Sequence, residues 1–79
     1  GNNIGITVTN GSKSSSFGYF KDSNNTWRYG LLINNSNYIY DTGEVKLGTA
    51  DQAKFEINPT SNQIILSGAN VSVIGSSLI

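Results

Sequence analysis

The chain has 79 residues, a formal net charge of zero from five acidic and five basic side chains, and neither cysteine nor histidine. Disulfide staples and the usual zinc and copper ligands are therefore excluded. The balanced, scattered charge opposes nucleic-acid binding and adsorption to anionic lipid, and no apolar run reaches the length of a membrane span.

A domain this small buries only about 60 to 65% of the surface that its unfolded chain exposes. Small domains without disulfides or metals commonly gain stability by oligomerising. Asn and Ser are abundant, while Ala, Leu, Glu and Lys are scarce. This composition opposes helix and favours turns. Recurring Ile, Val, Tyr and Phe pairs oppose disorder. One β-structured domain over residues 1–79 is expected. The start at Gly1-Asn2-Asn3, without Met, reads as a piece of a longer chain.

In chain order, period-two alternation marks about eight short strands and no helix. Ile4, Ile6 and Val8 alternate with Gly5 and Thr7. A Ser-rich loop, Ser12 to Ser16, precedes Phe17 and Tyr19. Trp27, Tyr29, Leu31 and Ile33 share one parity, and Tyr38 and Tyr40 share one. Val45 and Leu47, Phe55 and Ile57, then Ile64 and Leu66 follow as pairs. The last run alternates Ala69, Val71 and Val73 with Asn70 and Ser72. The stretches "DSNNT", "NNSN", "DTG", "NPTSN" and "SGAN" are turn signals. Pro59 belongs in a turn or at an edge. "TADQAK", Thr49 to Lys54, has room for one helical turn. Gly48, Gly68 and Gly75 each follow a strand pair, as in a chain that winds around an axis.

Little of this carries chemistry. Without His or Cys no conventional nucleophilic triad forms, and no enzyme activity is expected. Asp41 and Glu44 flank Gly43 and read as solvated turn residues rather than a glycosidase pair. Asp22-Ser23-Asn24 has the start of a calcium loop, but Trp27 and Ile33 stand where that loop needs Gly and Glu. No cofactor is expected. The concentrated feature is "DSNNTWRYGLLINNSNYIYD". Its Trp27, Tyr29, Tyr38 and Tyr40, with Asn34 among the amides, are the candidate saccharide-binding residues. Their rival role is core packing. Tyr38 and Tyr40 are one strand repeat apart, roughly 6.6 to 6.8 Å, and would offer neighbouring stacking surfaces.

The stretches "TWRYGLLINNSNYIYDTGEVKLG" and "AKFEINPTSNQIILSGANVSVIG" resemble the fibrous parts of bacteriophage tail fibres and tailspikes, which are trimeric receptor-binding proteins. The likeness is one of composition and rhythm over about residues 17–75, without an active-site motif. It implies an intertwined homotrimeric β-fibre, built as a triple β-helix or β-prism. It also implies an extracellular place on a virion, and a structural and host-attachment role with a host cell-surface polysaccharide as partner. In that arrangement Ile64, Leu66, Ala69, Val71 and Val73 form the trimer core. The alternatives are a carbohydrate-binding module of a secreted bacterial protein and a fragment of a polysaccharide-degrading enzyme.

Overall fold

A computed structural model describes residues 4–49 and 52–76. Seven strands form one antiparallel sheet in which each strand pairs with the next in sequence. They are β1 (Ile6–Asn10), β2 (Lys13–Lys21), β3 (Trp27–Ile33), β4 (Asn37–Tyr40), β5 (Val45–Gly48), β6 (Lys54–Asn58) and β7 (Gln63–Ser67). The described residues contain no helix, as the composition required.

The turns form where the turn residues stand. Asn34 and Asn35 both take left-handed φ, 51° and 60°. That is the backbone a tight hairpin needs, and Asn tolerates it better than most residues. The Asp22 carboxylate accepts the amides of Asn24 and Thr26, each at 2.9 Å, and so shapes the β2–β3 turn. The Asn58 side chain accepts from Thr60 and Ser61 and does the same around Pro59. Both are local side-chain substitutes for ladder bonds.

Three expectations need correction. The Ser-rich stretch is strand, not loop: β2 starts at Lys13, and Ser14, Ser15 and Ser16 face Thr9, Val8 and Thr7. Pairing on both sides outweighs the weak local preference of Ser. The turn there is only Gly11-Ser12. The described residues form seven strands rather than eight, because Ala69–Val73 forms none despite its alternation. The chain also runs up and down instead of winding around an axis. Around Thr49–Lys54, Gln52 donates to the Thr49 carbonyl at 3.2 Å and Lys54 already belongs to β6. Residues 50 and 51 lie outside the described part.

Strand register assigns every side chain to one of two faces. Ile6, Phe17, Leu31, Ile39, Val45, Ile57 and Ile64 follow one another across all seven strands on one face. Thr7, Ser16, Leu32, Tyr38, Lys46, Glu56 and Ile65 follow across the other. The buried core belongs to this second, polar face: Phe20, Leu32 and Tyr40 are 2, 5 and 6% exposed. Gly18 and Gly30 pair beside them with φ of 113° and 146°. A Cβ on Gly30 would overlap the Ile39 carbonyl. This side-chain-free spot, which pairs with Tyr40 on β4, is therefore obligatory.

Candidate functional site

The apolar face is the largest chemical feature of the molecule. Period-two alternation puts Ile6 and Val8 on it from β1, Phe17 and Tyr19 from β2, and Trp27, Tyr29, Leu31 and Ile33 from β3. Ile39, Val45, Leu47, Phe55, Ile57, Ile64 and Leu66 continue it to the far edge. Its charged strand residues are Lys13 and Lys21, at the two ends of β2, and it has no carboxylate. Among the described residues only Asn70–Ser72 approach it, bordering a groove with Leu47, Phe55 and Leu66, and most of the face is open: Ile6, Phe17, Ile64 and Leu66 are 69, 65, 74 and 62% exposed. Six strand spacings by about 15 Å of strand give a face of roughly 400 Å² in projection. A contiguous apolar patch of that order matches the largest one on a typical monomer, and such patches are often functional.

The sequence-selected residues divide between the two faces. Trp27 and Tyr29 lie on the apolar face and sandwich Tyr19. Its ring is 4.8 Å from Trp27 at 17° and 4.5 Å from Tyr29 at 33°. The Lys21 ammonium lies 5.5 Å from the Trp27 ring centre. Tyr38 and Tyr40 are on the polar face, because Leu32 faces Tyr38 and Gly30 faces Tyr40. Their rings stack at 4.4 Å and 7°. The Arg28 guanidinium covers Tyr40 at 4.7 Å. Tyr40 is thus core. The pair turns ring faces toward each other rather than offering two neighbouring stacking surfaces. Asn34 accepts the Ser14 amide at 2.8 Å and donates its own to the Ser14 carbonyl at 2.9 Å, so it clips the β3–β4 turn to β2. The five residues do not make one site. Tyr29 keeps the most accessible ring, at 50% exposure.

The proposed trimer-core residues also separate. Ile64 and Leu66 stand on the apolar face. Ala69, Val71 and Val73 follow β7 outside any strand and are exposed.

One network escaped sequence reading. Arg28 binds the Asp22 carboxylate at 3.0 Å and reaches Glu44 at 3.7 Å. Tyr38 donates its hydroxyl proton to Glu44 at 3.2 Å. Glu44 is therefore half-buried and partnered, not a solvated turn residue. Burial alone would raise the Asp22 carboxyl; the Thr26 amide, Arg28 and the Asn24 amide outweigh it and hold it below the ordinary value. Burial, reinforced by the Asp22 charge, pushes the Tyr40 hydroxyl up to about 12. Burial and Glu44 raise Tyr38 as well. Asp22 precedes β3, Arg28 lies within it and Glu44 follows β4, and only register brings the three together. Among the described residues no buried side-chain polar atom lacks a partner, and no cluster of three His, Cys, Asp or Glu could hold a metal. The network spends its bonding on a turn and an aromatic stack. The apolar face is what remains unpartnered.

Compared with protein-family models, curated proteins and solved structures, the chain has no significant match.

Proposed function

We propose that this chain is a self-assembling β-module of a trimeric fibre of the tail-fibre or tailspike kind. Three sheets turn their apolar faces inward around a common axis and their polar faces outward. The observation that carries the reading is the uncovered apolar face spanning all seven strands. A face of this kind needs a partner of like chemistry, and identical chains supply one at any concentration at which the fibre forms. The shape supports it too: the molecule is elongated, 46 Å along its longest axis against 29 and 21 Å along the others. The unit can thus lie lengthwise along a shaft. A host-attachment role belongs to the outward surface, where the amide-rich turns at Ser23–Thr26 and Asn34–Asn37 offer donors and acceptors to saccharide hydroxyls.

Sedimentation equilibrium tests the assembly. A mass three times that of the chain is expected, and a monomer or a face-to-face dimer overturns the trimer. Thermal melting should be slow and irreversible, since unfolding is tied to dissociation. A rapid, concentration-independent melt contradicts that.

The second reading is a monomeric carbohydrate-binding module, favoured by the exposed Tyr29 in the Trp27–Tyr19–Tyr29 row. Titration with bacterial surface polysaccharide separates the two readings. Binding by a monomer that is lost in Tyr29→Ala supports the module and removes the fibre.

A further inference from the structure

The segment after β7 has the pattern of a strand and no strand beside it. Ala69, Val71 and Val73 alternate with Asn70 and Ser72, yet none is in a ladder, and Val71 and Val73 are 52 and 57% exposed. At the other end of the sheet, no strand among the described residues pairs with the outer edge of β1. Ile4 donates to Tyr19 and Ile6 faces Phe17. By alternation, the N–H and C=O groups of Gly5, Thr7 and Thr9 point away from the sheet. Nothing on this edge protects it: "ITVTN" has no charge, no Pro and no bulge.

We propose that residues 69–73 of one chain add as a strand to the outer edge of β1 in a second copy. This rests on the self-association reading above and names its contact. The two faces match. Ala69, Val71 and Val73 would extend the apolar face beside Ile6 and Val8. Asn70 and Ser72 would continue the hydroxyl row of Thr7 and Ser16, whose Oγ atoms already bond at 2.9 Å. A one-residue slip would reverse both matches, so the pattern sets the register parity.

Geometry directs the segment to a different chain. In its own chain, β1 lies six strand spacings from β7, about 29 Å. The six residues from Gly68 to Val73 reach at most about 22 Å. The segment does not pair along β7 either: Asn70, Val71 and Ser72 are in no ladder and border one groove with Leu47, Phe55 and Leu66. Backbone bonds between the free edge and the free segment supply the affinity, as in other strand additions.

The absence of cysteine makes a clean test. Chains carrying Thr7→Cys are refolded together with chains carrying Asn70→Cys or Ser72→Cys, then oxidised. An interchain disulfide is expected for at least one pairing. Thr7→Cys with Val71→Cys, on opposite faces, should stay unlinked. An oligomer in which neither pairing links overturns the strand addition while self-association stands. A monomeric mass removes both. A chain carrying Ile65→Cys and Ser72→Cys that links within itself also overturns the proposal, since the segment then belongs beside its own β7. Ser72→Pro removes a ladder donor from a residue that has no ladder in the single chain. It should weaken assembly about tenfold and leave the strand content of the chain unchanged. Unchanged assembly overturns the proposal.

Discussion

Phe20, Leu32 and Tyr40 on the polar face are at most 6% exposed, while Ile6, Phe17 and Leu66 on the apolar face keep at least 62%. The face richer in polar residues holds the chain's own core, and the face richer in hydrophobic ones has none. The difference is one of supply. A single sheet has no second layer, so its large apolar face has nothing to pack against. The polar face closes on itself through one glycine pair, two stacked tyrosines and an Arg28 bound on both sides by carboxylates. Hydrophobicity alone does not say which side of a sheet is inside; a partner layer does.

The comparison breaks most sharply at the centre of the apolar face. Ile39 is 45% exposed in the single chain. Ile39→Asp should therefore leave the chain folded yet abolish assembly, because an unpaired charge in a closed interface costs several kcal/mol. Light scattering together with far-ultraviolet circular dichroism reads both. An oligomer of unchanged mass would show that this face stays open.

The opposite experiment strikes the polar face. Phe20→Ala should destabilise the folded chain by about 3 kcal/mol or more, the usual cost of emptying a buried aromatic site. Denaturant melts measured on the Ile39→Asp background isolate this effect from assembly. A loss under about 1 kcal/mol would mean that the small cluster is not the core.

Arg28→Ala comes next. It uncovers Tyr40 and leaves the Asp22 carboxylate, whose side chain is 7% exposed, without its cation. A loss of about 2 kcal/mol is expected, with no change in oligomer mass. A change in mass would mean that the polar face takes part in assembly.

The smallest effects are titrations. The folded Asp22 carboxyl is held below its unfolded value. Its contribution is complete above the unfolded pKa, near 4, and is lost as pH falls through the folded value. Wild type should lose stability on acidification over that range, and Asp22→Asn should flatten the acid limb. Tyr40 has the opposite sign: its folded value is raised to about 12. Its contribution is complete below the unfolded value, near 10, and fades as pH rises toward 12. Ultraviolet titration should show a late phenol ionisation that Tyr40→Phe removes. A titration that ends by pH 11 would place Tyr40 in solvent.

Much of the fold was legible residue by residue. Asn34-Asn35, Asp41-Thr42-Gly43 and Asn58-Pro59 marked their turns because left-handed backbone and local side-chain bonds are short-range properties. Alternation placed Trp27 with Tyr29 and Leu31 correctly, since side-chain direction within a strand depends only on parity. The candidate site was less legible. Trp27 and Tyr38 stand on either side of the "NNSN" turn signal, but their relative faces depend on how many residues the turn consumes. The Asp22–Arg28–Glu44 network depends on the register of two successive hairpins. The Ser14–Ser16 strand was hidden because weak strand formers owe their conformation to the neighbours on either side.

By itself the sequence determined an all-β chain, most of its turns, and which side chains share a face within a strand. These follow from local sterics and parity. Only the tertiary structure decided that the strands form one open meander, that the chain's own core lies on the polar face, and that Ala69–Val73 is left without a ladder. Those outcomes depend on pairing between residues distant in the chain. A strand's pattern states which side chains share a face, whereas only an adjacent edge or layer gives that face something to meet.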